Sequence, residues 1–197
     1  IPTSTSSNTS VGVREVLAVE PDPRFCEEFH QRCPRQPVCQ GKVTDLSRGT
    51  ACDGIVSTNV LEHIEEDLRE LIAYASLLSE RQGVLCLFVP ARQEIYARLD
   101  RDFGHFRRYS KAELADKLRR AGFEIVQLYY FNFIGYFGWW FSFRLLRKRA
   151  FDAAAVRIFD RMVFPIVYWL ESRISHPPIG QSLLAIARVA KQGRAQP

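Results

Sequence analysis

Paired cysteines are missing from this 197-residue sequence: Cys26, Cys33, Cys39, Cys52 and Cys86 are odd in number and contain no C-x-x-C. No positively charged, apolar leader of the secretory kind precedes them, which argues against a disulfide scaffold and for a reducing cytoplasm. Histidine is scarce, at four residues. None has ligand spacing to another His, Cys or acid, so no metal site is expected. Long apolar runs are also lacking. Leu128 to Phe143 holds 16 residues with one Asn and no charge, short of the ~20 that a spanning helix needs. No internal repeat is visible. With 47% hydrophobic and 25% charged residues, the composition is that of one soluble domain, which excludes disorder and collagen. The chain opens on Ile1 rather than Met, and the Ser/Thr tract over residues 1–10 has too little apolar surface to fold alone. Residues 1–13 are therefore expected to be a tail, with an N-terminal portion missing or altered.

Charge and aromatic rings are unevenly placed. Residues 101–150 carry 11 Lys/Arg against 4 Asp/Glu, a local +7 within a chain of net +5. Of the 24 Phe, Tyr and Trp residues, 11 fall between Phe123 and Phe143. Along the chain, apolar runs at Val16–Val19, Val38–Val43, Gly54–Thr58, Gly83–Val89, Phe123–Tyr130 and Ser182–Val189 predict strands. Helices are expected at Arg24–Arg32, from Asn59 to about Leu78 with Glu62 at capping-box spacing, and after Ser110. The last has Glu113 at its third position, Tyr109 and Leu114 as a hydrophobic staple, and Gly122 past its end. Such alternation predicts an α/β fold with a mostly parallel sheet and helices on both faces. It stops after Asn132. Apolar residues at 156, 159, 163, 167, 170 and 174 predict an amphipathic helix kinked at Pro165, so residues 133–178 read as a helical insertion before the last strand.

Ligands of open parallel sheets bind outside the carboxyl ends of the strands. Glu20 ends the first predicted strand, where a carboxylate can accept from ribose hydroxyls or remain a solvated loop acid. Asp45 follows the next strand and can accept from an exocyclic amine or serve a turn. Asn59 and Glu62 close the third strand, where helix capping explains them equally well.

In order, VLAVEPDP, VTDL, CDGIVSTNVLEHI, GVLCLFVP and GHFRRYSKAELADKLRRAGFEIV resemble the class I S-adenosylmethionine-dependent methyltransferases over residues 14–130 plus the last strand. The resemblance implies a Rossmann-like domain over 14–197 and S-adenosylmethionine as cofactor. It implies that Glu20 binds the cofactor ribose, that Asp45 lies near adenine, and that Asn59 with the backbone of Val60 and Leu61 walls the methionyl and adenosyl parts. The family's acidic residue followed by G-x-G-x-G is absent, since the 11 glycines never stand two apart. The chain thus reads as lacking the family's first strand.

Methyl transfer from a sulfonium needs positioning, exclusion of water and removal of an acceptor proton. His105, Arg107, Arg108 and Tyr109 precede the Ser110 helix, which in this resemblance borders the substrate mouth. His105 is the candidate general base, and Arg107, Arg108 and Tyr109 are candidate acceptor contacts. Their alternative is surface pairing of the arginines with Asp100 or Asp102 and a purely packing Tyr109. Trp139 and Trp140, followed by Arg144, Arg147, Lys148 and Arg149, have the layout of an interfacial element. The rings could equally close a pocket or a homodimer contact. Basic residues interleaved with bulky apolar ones do not suit nucleic acid. The reading is methyl transfer to a hydrophobic or lipid-linked small molecule by a cytoplasmic protein peripheral to a membrane, with 133–178 as lid. Its rivals are a truncated, non-catalytic module binding a membrane or protein partner, and a nicotinamide-dependent oxidoreductase, which also uses a strand-end acid.

Overall fold

The computed structural model describes residues 15–46, 51–145 and 177–190, with isolated positions at 161, 165, 169 and 173. The chain divides into two compact units, residues 1–48 and 49–197. In the first, β1 (Ala18–Glu20) leads into α1 (Pro23–Arg32) and returns as β2 (Val38–Gln40), parallel to β1. Asp22 caps α1 by accepting from the Arg24 N–H, and Pro23 occupies the first turn, where no donor is needed. β2 is shorter than its apolar run because Gly41 takes φ +144° and the chain winds into a 3-10 turn at Val43–Asp45.

The second unit holds β3 (Gly54–Thr58), α2 (Asp67–Ser79), β4 (Val84–Pro90), α3 (Arg98–Asp102), α4 (Lys111–Arg120), β5 (Phe123–Phe131), α5 (Phe133–Trp139) and β6 (Ser182–Val189). Its four-stranded sheet has the order β3-β4-β6-β5. β3 and β4 run parallel, and β6 lies antiparallel between β4 and β5. The sheet is therefore mixed, with one reversed strand in a mostly parallel arrangement. Strand periodicity turns Leu85, Leu87 and Val89 of β4 to the core, in register with Ala187, Ala185 and Leu183 of β6. α2 packs on this sheet and against α4. It buries Leu71, Tyr74, Ala75 and Leu78, while α4 buries Leu114, Ala115 and Leu118.

One predicted helix start is corrected. Asn59 does not open α2: its φ is +51° and its N–H donates to Phe88 O at 2.9 Å, which prolongs the β3–β4 ladder. A single 3-10 turn, Leu61–His63, follows, and α2 begins only at Asp67. The Ser110 cap holds, with its hydroxyl accepting from Glu113 N–H at 3.1 Å and Gly122 beyond the helix at φ +91°. After β5, Asn132 takes a left-handed conformation and caps α5 by accepting from Gly135 N–H at 2.8 Å. A Cβ at 135 would collide with the Asn132 side chain. α5 passes into a π-helical turn, Trp140–Leu145. The remainder of the proposed insertion, including the amphipathic helix expected over 156–174, lies almost wholly outside the described residues.

Candidate functional site

The charged residues around the carboxyl ends of β3 and β4 are folded inward onto two carboxylates. The first is Asp100, fully buried in the first turn of α3. It accepts from Ala97 N–H at 2.7 Å and from Arg108 Nε at 2.8 Å, pairs with Arg108 Nη2 at 2.7 Å, and makes a 3.2 Å hydrogen bond with His105 Nδ1. Burial by itself would raise this carboxyl, but the bonds from His105 and Arg108 outweigh it and hold the group below the usual range. The second is Asp67 at the start of α2. It accepts from the Tyr109 hydroxyl at 2.8 Å, from Lys117 Nζ at 2.5 Å and pairs with Arg107 Nη1 at 2.8 Å. Here too, burial opposes ionisation, and Lys117 and Tyr109 reverse the sign.

Between these nodes lies Glu62. Its residue is fully buried, and neither carboxyl oxygen has a hydrogen-bond partner among the described residues. Burial pushes its carboxyl up to about 7. Its backbone carbonyl accepts from Phe106 N–H at 2.9 Å, which ties the loop before α4 to the turn after β3. The His105 ring, largely buried, places Nε2 4.0 Å from Glu62 Oε1 and stands edge-on to the His63 ring at 4.7 Å between centroids. Tyr96 fixes the same loop by donating to His105 O at 2.7 Å.

Arg108 is a core residue, 2% exposed, with Nη1 donating to Ala91 O at 3.2 Å and its guanidinium over the Trp139 ring at 4.5 Å. Tyr109 is equally enclosed, its hydroxyl spent on Asp67 and near Leu61 O at 3.2 Å. Arg107 is only partly covered, and also donates to Glu65 O at 2.8 Å. The surface pairing considered for the arginines thus takes a buried form, with Asp100 and Asp67 as partners. The two tryptophans separate. Trp139 packs with Ile95, Ala97, Leu99 and Phe143 and donates from Nε1 to Ile95 O at 3.1 Å, whereas Trp140 is 42% exposed.

In the first unit, Glu20 stands at the carboxyl end of β1, and Oε1 accepts from Asp22 N–H at 2.9 Å, fixing the carboxylate by one of its two oxygens. Asp45 is exposed, with Oδ2 accepting from Lys42 N–H at 2.8 Å. In the second unit, Asn59 and Val60 are exposed at the end of β3, while the Leu61 side chain is buried.

A family model for the methyltransferase domain matches residues 10–128, more than half of the chain. The chain belongs to this family of methyltransferases. No curated protein sequence matches it. Among solved structures, the S-adenosylmethionine-dependent methyltransferase of Mesorhizobium loti aligns at TM-score 0.56 and 15% identity, covering 88% of this chain and 80% of that one. One from Archaeoglobus fulgidus aligns at 0.53 and 14%, covering 87% and 75%. The N-methyltransferase NodS of Bradyrhizobium japonicum, in complex with S-adenosyl-L-homocysteine, aligns at 0.52 and 14%, covering 89% and 66%. At these identities the likeness is one of fold, and it is the Rossmann-like fold of class I methyltransferases. The methyltransferase is of the S-adenosylmethionine-dependent type. Among its described residues, no helix is long and apolar enough to cross a membrane.

Proposed function

We propose that this methyltransferase transfers the methyl group of S-adenosylmethionine to a hydrophobic or lipid-linked small molecule. The observation that carries the acceptor class is a set of exposed rings in the second unit: Phe103 and Phe106 beside His105, and Phe137, Trp140 and Phe141 in and after α5. Exposed rings of this kind offer apolar area to a greasy acceptor. In this reading α5 borders the acceptor, and the exposed Trp140 meets a membrane surface. Glu20 accepts from ribose hydroxyls, Asp45 from the adenine amine, and Asn59 with the backbone of Val60 and Leu61 lines the methionyl and adenosyl side. The donor set suits the group, because a carboxylate at the end of β1 and another in the 3-10 turn after β2 match its hydroxyl and amine donors. S-adenosylmethionine supplies a methyl group already activated on a sulfonium.

On the acceptor side, His105 is the catalytic residue. Asp100 engages Nδ1, so Nε2 is the atom that takes a proton from the acceptor. Arg107, partly exposed, contacts the acceptor; Arg108 and Tyr109 position the loop from within. The second reading is a non-catalytic module that binds a membrane surface or a protein partner. Calorimetric titration with S-adenosylmethionine and with NAD separates the readings. Heat with the sulfonium, lost in Glu20→Ala while circular dichroism is unchanged, supports the enzyme. Heat with neither supports the module, and heat with NAD alone supports an oxidoreductase.

A further inference from the structure

We propose that Glu62, His63 and His105 form a binding site for a divalent transition-metal cation. Each offers one ligand atom, and these three atoms lie within 4.8 Å of one another. Glu62 and His63 leave the 3-10 turn after β3, while His105 comes from the loop before α4, so the site exists only in the folded second unit. Two imidazoles and one carboxylate, with coordination positions left open, form a donor set for zinc, iron or cobalt; magnesium and calcium favour oxygen ligands.

Two features point to a ligand. Both oxygens of the fully buried Glu62 lack a hydrogen-bond partner among the described residues. Polar atoms so buried are normally satisfied, and a cation bridging them to two imidazoles would satisfy them. The second feature lies behind His105. Its Nδ1 is bonded to Asp100 at 3.2 Å, and Asp100 is held by Arg108 and by the Ala97 N–H. A metal-ligating histidine commonly has its other ring nitrogen engaged by a carboxylate in this way, which sets the tautomer and aims the ligating nitrogen. Here that nitrogen is Nε2, 4.0 Å from Glu62 Oε1. Donor atoms sharing one ion with bonds of about 2.1 Å sit roughly 3–4 Å apart; the Nε2–Oε1 pair already stands at 4.0 Å, and all three ligand atoms lie within 4.8 Å of one another.

The cation's open positions would receive an oxygen or nitrogen of the methyl acceptor. That role rests on the proposed function, and with the cation bound, His105 acts as its ligand rather than as a free base. Metal binding itself needs no cofactor. The test is therefore Co²⁺ titration of the untagged chain without S-adenosylmethionine, followed by calorimetry and visible absorption. One equivalent should bind with a spectrum free of thiolate charge transfer. His63→Ala and His105→Ala should each weaken binding by about 100-fold, at or beyond the upper end of outer-shell losses, and Glu62→Gln should do likewise. His30→Ala should bind like the unaltered chain, and thermal melts establish that each variant is folded. If Glu62→Gln does not fold, His63→Ala at the exposed position still decides. No saturable binding, equal binding by His63→Ala, or a cobalt–thiolate band would overturn the proposal while leaving cofactor titration unaffected.

Discussion

Replacing Arg108 by Met should destabilise the protein by about 3–5 kcal/mol, the range seen when one partner of a buried ion pair is removed. The guanidinium donates from Nε to Asp100 at 2.8 Å, pairs with the same carboxylate through Nη2 at 2.7 Å and donates to Ala91 O at 3.2 Å, with both charged side chains almost wholly buried. Met keeps much of the apolar stem and the contact with Trp139. What it removes is the charge facing Asp100, which would keep only Ala97 N–H and His105. Against a domain stability of about 5–15 kcal/mol, such a loss is large. Urea unfolding should show the midpoint falling at an unchanged slope. Arg108→Met combined with Asp100→Asn should cost less than the two single changes together, because the second change removes the stranded charge. A loss below about 1 kcal/mol for Arg108→Met, or strict additivity in the pair, would show that this ion pair does not organise the loop.

Asp67 should give the protein an acid-sensitive component of stability. Its folded carboxyl is held below the usual range by Lys117 and Tyr109 against the opposing effect of burial, so the contribution is present above the unfolded value of about 3.9 and lost as pH falls through the folded one. Asp67→Asn should flatten the fall in urea midpoint between neutral and acid pH; an unchanged profile would remove Asp67 from that role. The two tryptophans should respond oppositely. Trp139→Ala should cost about 3–5 kcal/mol in unfolding measurements, whereas Trp140→Ala with Phe141→Ala should leave stability nearly intact and reduce liposome co-sedimentation. Equal stability losses would contradict their assigned burial. Gly180→Ala should lower the melting temperature, since a Cβ there would collide with Phe131 O, and a neutral result would show that the β5 end yields freely.

Much of the scaffold is legible residue by residue. The apolar runs Gly54–Thr58 and Ser182–Val189 are strands with those same bounds, and Ser110 caps its helix, because strand burial and N-cap bonding depend on near neighbours. Asn59 and Glu62 show where local pattern fails. Their spacing fits a capping box, but pairing of Asn59 with β4 and burial of Glu62 draw the segment into a 3-10 turn instead. Trp139 and Trp140 are adjacent in sequence and fall on different sides of a helical turn, so only packing against Ile95 and Arg108 decides which is core.

Sequence alone was enough to establish an α/β fold and the order of its strands along the chain, since these are carried by runs of residues whose periodicity and turn chemistry are local; the methyltransferase resemblance rested instead on the order of its motifs. It could not establish what the charged residues face. Arg108 and Asp100 are eight positions apart, Lys117 and Asp67 are 50 apart, and His105 reaches Glu62 and His63 only because the loop before α4 is stitched to the turn after β3. Whether such a side chain is a surface charge, a buried counter-ion or a ligand depends on the loss of solvent around it, and that is decided when distant segments close together.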